Sequence, residues 1–120
     1  MAQHNINGQK AESLATEYLE RKDYKIIERN YRDKFCEIDI VACTREYIVF
    51  VEVKYRASND YGGAIGAVTS TKLKQMTRAA EYYLSQHLDF NNLQPRLDVI
   101  TVVGDINIPT IKHIEDCYTD

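Results

Sequence analysis

Asp39, Glu52 and Lys54 are the residues whose types and spacing best suit chemistry. They interrupt two aliphatic runs, Glu37-Ile38-Asp39-Ile40-Val41-Ala42 and Ile48-Val49-Phe50-Val51-Glu52-Val53-Lys54, that otherwise read as strands of a buried sheet. An unpaired charge is costly to bury, so acids set into such strands call for a partner, and a divalent metal ion is the obvious candidate. Asp39 and Glu52 offer hard oxygen donors for Mg²⁺ or Mn²⁺. Magnesium takes one or two protein carboxylates together with waters and phosphate oxygens, so this inventory suits phosphodiester hydrolysis. Lys54 is then placed to orient a water or to stabilise the extra negative charge of the transition state.

The two runs must lie side by side for this to work. Side chains alternate faces along a strand, so Glu37, Asp39 and Val41 are expected on one face of the first run and Phe50, Glu52 and Lys54 on one face of the second. A two-residue loop at Arg45-Glu46 pairs Thr44 with Tyr47. The same antiparallel register sets Asp39 opposite Glu52 and Glu37 opposite Lys54. Opposed Cβ atoms lie only ~4.5–5.5 Å apart, close enough for two carboxylates to share one cation. A slip of one residue would separate them, and the loop lacks the Gly or Asn that usually fixes such a register. Glu37 is left out of the metal ligands, as a residue that pairs with Lys54 or flanks the site.

A chain of 120 residues suits one domain, 1–120, with room for a real core. The apolar runs are of strand length and the polar N-terminus has no signal-peptide pattern, so a cytoplasmic location is expected and a membrane partner is not. Cys36, Cys43 and Cys117 lack both the even number of a disulfide framework and the close spacing of a zinc site, and read as reduced, small, mostly buried residues. The net charge of −3 gives no global support for nucleic-acid binding. Its distribution says more: Lys54 to Arg78 holds five basic residues against one acidic, and Asp89 to Asp120 six acidic against two basic.

The elements that position the acids follow from periodicity. Ala11, Leu14, Ala15, Tyr18 and Leu19 predict a helix from about Gly8 to about Lys22, capped by Asn5 or Asn7. Glu12 lies at the edge of its apolar stripe, where it can reach the sheet or simply favour the helix dipole. Tyr24 to Arg29 reads as a strand, and Arg29 to Lys34 as a polar connection whose Arg32 can touch a nucleic-acid backbone. Residues 57–67, with three glycines, read as a mobile loop beside the site. Thr69 or Ser70 caps a second helix with Leu73, Met76, Ala80, Tyr83 and Leu84 inward, Lys74 and Arg78 outward and Lys72 on the flank. With Arg56, these basic residues form the expected phosphate-gripping set. His87 ends that helix in a structural role. Leu97 to Val103 reads as a fourth strand, in which Asp98 either joins the acidic site or pairs with a basic neighbour, and Ile111 to Ile114 as an edge strand. His4 and His113 show no partners.

These residues in this order resemble the bacterial YraN-like family of predicted endonucleases, related to archaeal Holliday-junction resolvases within the PD-(D/E)XK nuclease superfamily. The resemblance rests on Gly8 and Glu12 with Ala15 and Tyr18-Leu19, Arg29-Asn30-Tyr31-Arg32, Glu37-Ile38-Asp39, Val49 to Lys54, Tyr61-Gly62, Ala67-Val68, Lys72, and Arg96-Leu97-Asp98-Val99-Ile100. It implies an α/β, single-domain, restriction-endonuclease-like αβββαβ core with a mixed central sheet flanked by helices. It further implies that Asp39 and Glu52 bind Mg²⁺ or Mn²⁺, that Lys54 assists, and that Glu12 enters from the first helix as an additional acid. Branched or structured DNA is the implied substrate and a homodimer the implied assembly. Cys36 stands where a glycine is expected, Ala11 replaces another, and Gly66 stands where an acid is frequent; all three bear on loop shape and substrate preference. Two other classes remain open, a non-catalytic nucleic-acid-binding module on the same scaffold and a protein-interaction domain using the acidic C-terminal quarter.

Overall fold

The computed structural model describes residues 2–58 and 68–117. Its elements are α1 (Ala2–Arg21), β1 (Lys25–Arg32), β2 (Glu37–Cys43), β3 (Tyr47–Arg56), α2 (Ser70–Gln86), a short 3₁₀ turn (Leu88–Phe90), β4 (Gln94–Val103) and β5 (Thr110–Ile114). This is the expected αβββαβ order with one further edge strand. The sheet runs β1-β2-β3-β4-β5, antiparallel throughout except for the parallel β3–β4 pair that α2 connects.

The sheet is buried on both faces. Ala11, Ala15 and Leu19 of α1 cover Ile40, Ala42, Val49, Val51, Ile100 and Val102. Leu73, Met76, Ala79, Ala80 and Tyr83 of α2 cover Ile38, Val41, Ile48, Phe50 and Leu97 on the other side. β3 and β4 therefore read as nearly continuous apolar runs, the pattern of strands packed on both faces.

Several element ends differ from expectation. α1 starts at Ala2 and so runs through Asn5 and Asn7, which do not cap it. No proline blocks the added residues, and Gly8, which follows them, weakens a helix by only ~1 kcal/mol. The helix closes where Lys22 and Tyr24 donate to the Leu19 carbonyl and Asp23 turns to a φ of 68°. Aspartate tolerates that left-handed conformation better than most residues. β1 does not stop at Arg29 but continues to Arg32, with a bulge at Ile26/Glu28 and Asn30 at a φ of 56°. The expected polar connection is thus mostly strand, because β2 supplies ladder partners that composition does not reveal. Thr69 caps α2 as expected, its hydroxyl accepting from the Lys72 N–H at 3.1 Å. The stretch 59–67, read as a mobile loop, lies outside the described residues. Among the described residues no helix is long and apolar enough to cross a membrane.

Candidate metal centre and its surroundings

The β2–β3 hairpin sets the geometry. Thr44 and Tyr47 flank the two-residue loop, with the Thr44 N–H donating to the Tyr47 carbonyl at 2.9 Å, and the Thr44 hydroxyl accepts from the Glu46 and Tyr47 N–H groups. That hydroxyl fixes a turn that has no Gly or Asn. The ladder then runs Cys43↔Ile48, Ala42↔Val49, Val41↔Phe50 and Ile40↔Val51, the expected register. Beyond Ile40 a side chain takes over: Asp39 Oδ2 accepts the Val53 N–H at 2.7 Å.

The strand phase also changes there. Ile40 and Ala42 pack toward α1, yet Ile38 packs toward α2 in the same cluster as Val41. Alternation is reset between Ile38 and Ile40, and the expectation that Glu37 shares the face of Asp39 and Val41 fails. Glu37 does not meet Lys54. It pairs with Arg32 and lines a hollow of about 690 Å³ on the α1 side, with Gln9, Glu12, Ser13 and Arg29.

Asp39 and Glu52 are 8 % and 4 % exposed and lie near enough for the charge of Glu52 to act on Asp39. Two neighbouring buried carboxylates cannot both ionise cheaply. Burial first, then the charge of Glu52, pushes Asp39 up to about 8, against the opposing pull of the Val53 N–H. Lys54 Nζ lies 3.2 Å from Glu52 and Lys72 Nζ, from the first turn of α2, lies 3.8 Å from it. Glu12 approaches from α1, held 3.9 Å from Arg29. Burial chiefly raises its pKa, with Glu37 and Glu52 adding to the rise and Arg29 opposing it. The structure therefore gathers Glu12, Asp39, Glu52 and Lys54 at one end of the sheet, with Lys72 beside them.

The other basic residues divide. Arg32 is engaged by Glu37, and Arg56 donates to the Tyr55 carbonyl at the end of β3. Lys74 and Arg78 are exposed on the outer side of α2. The role of Lys72 as a partner of Glu52 went unseen, although its place in the first turn of a capped helix that follows the acidic strand was a usable signal. Nothing local marks Arg29 as the partner of Glu12.

Asp98 is outside the site. It lies with Ile100 and Val102 on the α1 side of β4, whereas Glu52 lies with Phe50 on the α2 side of β3. It accepts from Arg96 Nε and Nη2 at 2.9 Å each, meets His113 Nε2 at 2.6 Å and takes the Asp116 N–H at 3.1 Å. His113, to which the sequence assigned nothing, is thus buried beside Asp98. Its ring stands edge-on to Tyr18. His87 is structural as expected, stacked on Tyr83 at 3.9 Å with Nδ1 2.8 Å from the Tyr83 carbonyl. The three cysteines are free, though half-buried rather than buried.

The donor set fits a hard divalent cation. Two neighbouring buried carboxylates, with Glu12 nearby, concentrate negative charge where a proton must be kept in compensation. The set holds oxygen donors without a thiolate or imidazole among them, as Mg²⁺ or Mn²⁺ prefers. Among the described residues no group of three or more acidic, His or Cys side chains is arranged as a complete metal cage, so the pair would need water or substrate oxygens to complete a shell.

Comparison with known proteins places the chain in a family. The chain is 45% identical to a UPF0102 protein of Geobacter metallireducens over 119 residues, covering 98% of this chain and 97% of that one. It is 46% identical to a UPF0102 protein of Shewanella oneidensis over 96 residues (79% and 86%). With one of Bacteroides fragilis it shares 39% identity over 119 residues (98% and 96%). With the model of the uncharacterised protein family UPF0102 also matching residues 11–102, the chain belongs to that family, the membership its YraN-like resemblance anticipated.

Proposed function

We propose that this chain is a Mg²⁺- or Mn²⁺-dependent endonuclease that hydrolyses phosphodiester bonds in branched or otherwise structured DNA in the cytoplasm. The observation that carries this reading is the placement of Asp39 and Glu52, both buried, on neighbouring strands where β2 and β3 part, with Asp39 taking the Val53 N–H and Lys54 3.2 Å from Glu52. A bound Mg²⁺ or Mn²⁺ supplies an activated water and neutralises charge on the phosphate. The Val53 N–H holds the Asp39 carboxylate in one orientation, so a donor oxygen is fixed before any ligand arrives. Lys54 Nζ, next to Glu52, is placed to orient the attacking water and to stabilise negative charge on the phosphoryl oxygens. Lys72 offsets the charge of Glu52 from the α2 side, and Glu12 adds an acid from the α1 side. Lys74, Arg78 and Arg56 supply phosphate contacts that orient the substrate without reading its sequence.

The test is cleavage of four-way, flapped and nicked DNA by purified protein with Mn²⁺ or Mg²⁺, alongside Asp39→Ala and Lys54→Ala. Cleavage by the wild type, reduced at least ~10²-fold in either variant with folding retained, is expected. No cleavage of any of these substrates, under conditions where a control nuclease is active, would overturn the reading.

A further inference from the structure

We propose that the outer face of α2 and the β1–β2 turn together bind single-stranded DNA. In this reading Tyr82 is the platform on which a base stacks, and Lys34, Lys74 and Arg78 hold the flanking phosphates. The inference rests on DNA being the substrate and adds which form of it this surface takes.

Lys74, Arg78 and Tyr82 are spaced four residues apart on α2. Side chains four apart stand one above the other, so the three form a single row about 12 Å long at 1.5 Å per residue. All three are exposed. Among the described residues none of Lys34, Lys74 and Arg78 has an ion-pair partner, which leaves their charge available to phosphates; Arg32, Lys54, Lys72 and Arg96 are all paired. Glu81 is the acid three residues from Arg78, and the surface remains net positive.

Tyr82 differs from the buried tyrosines of the chain. Tyr24 and Tyr83 are 9 % and 1 % exposed and serve the core, whereas Tyr82 keeps 43 % of its surface in water. Its ring is held rather than free, because Phe35 packs against it at 6.2 Å and 62°. Phe35 is itself anchored. It packs on the α2 cluster, its N–H donates to Asp33 Oδ1 at 2.8 Å, and Asp33 Oδ2 accepts from the Tyr31 hydroxyl at 2.7 Å. Lys34 Nζ lies 5.3 Å from the Phe35 ring centre, putting a cation at the edge of the platform.

An exposed aromatic ring flanked by unpaired cations matches a strand whose bases are free to stack. A duplex keeps its bases stacked inside and offers this surface phosphates alone. The row begins at the same N-terminal end of α2 as Lys72, which contacts Glu52 from another side of the helix.

The chain has no tryptophan, so Tyr82→Trp introduces a single reporter at the platform. In EDTA, where cleavage plays no part, this variant is titrated with an oligo-dT strand, a blunt duplex and an oligo-rU strand. Quenching by oligo-dT, with weaker binding of duplex and of oligo-rU, is expected. Tyr82→Ala should weaken oligo-dT binding by about 5- to 140-fold and Tyr82→Phe should restore it. Lys74→Ala with Arg78→Ala should lower the salt slope by about 1.4. Binding without quenching, unchanged affinity in Tyr82→Ala, or a preference for oligo-rU would overturn the inference. Duplex binding without oligo-dT binding would overturn it too while leaving the endonuclease reading intact, since that reading is decided by cleavage at Asp39 and Lys54.

Discussion

Asp39→Asn should make the metal-free protein more stable at pH 8, which follows from the ionisation of the acidic pair. Asp39 rises from an ordinary 3.8 to about 8 through burial and the neighbouring charge of Glu52. A carboxyl whose pKa is raised by folding binds its proton more tightly in the folded state, so its contribution is fully present below about pH 4. That contribution is lost as pH climbs through 8. The rise corresponds to on the order of 5 kcal/mol at pH well above 8, with Asp39 only 8 % exposed and solvent screening correspondingly small. The amide of Asn keeps an oxygen for the Val53 N–H and carries no charge. Urea unfolding followed by circular dichroism in EDTA, from pH 5 to 9, should show wild-type stability falling by several kcal/mol relative to Asp39→Asn. Added Mn²⁺ should recover the loss at the alkaline end, because ligation requires the ionised pair. Parallel pH profiles for the two proteins would refute the argument, since the Asp39 proton would then contribute nothing to the folded state.

Two further outcomes test the frame around the site. Arg96→Met should cost about 3–5 kcal/mol, because it leaves Asp98 buried with part of its compensation removed; it should also move acid unfolding to higher pH. The sign follows from Asp98, whose pKa is lowered by His113, Arg96 and the Asp116 N–H against the opposing effect of burial: its stabilisation is present above about pH 4 and lost as pH falls below. Thr69→Ala should cost about 1 kcal/mol in urea unfolding through loss of the α2 cap, with both helix ends otherwise unchanged.

Much of the hairpin was legible because two properties of short range set it. Thr44, Arg45, Glu46 and Tyr47 fix the loop, and a period of two carries that register to Ile40 and Val51. α2 was legible for a similar reason, since Thr69 announces its start and Leu73, Met76, Ala80 and Tyr83 its inner face. What could not be read depends on partners distant in the chain. The extension of β1 to Arg32 needs the Arg32↔Glu37 and Tyr31↔Ile38 pairs, which composition does not disclose. Glu37 changes face where the Asp39 side chain answers the Val53 N–H in place of the Ile38 carbonyl that a continued ladder would offer, and the alternating pattern contains no sign of that exchange. His113 finds Asp98 fifteen positions away across β4 and β5. No spacing rule links them in a single sequence.

The two deeply placed aspartates explain why one is a candidate for chemistry and the other is not. Asp98 is fully buried, more so than Asp39, so burial alone would make it the better candidate for a raised pKa. Its pKa is instead lowered. Arg96 gives it two hydrogen bonds, His113 meets Oδ2 and the Asp116 N–H meets Oδ1, so the charge lost from water is replaced within the fold. Asp39 has the Val53 N–H and another carboxyl, and the two cations nearest the pair are both directed at Glu52. A satisfied buried acid ties strands together. One left short of positive charge, at the point where two strands separate, retains an affinity for whatever cation can reach it, and the placement of Asp39 beside Glu52 has that property.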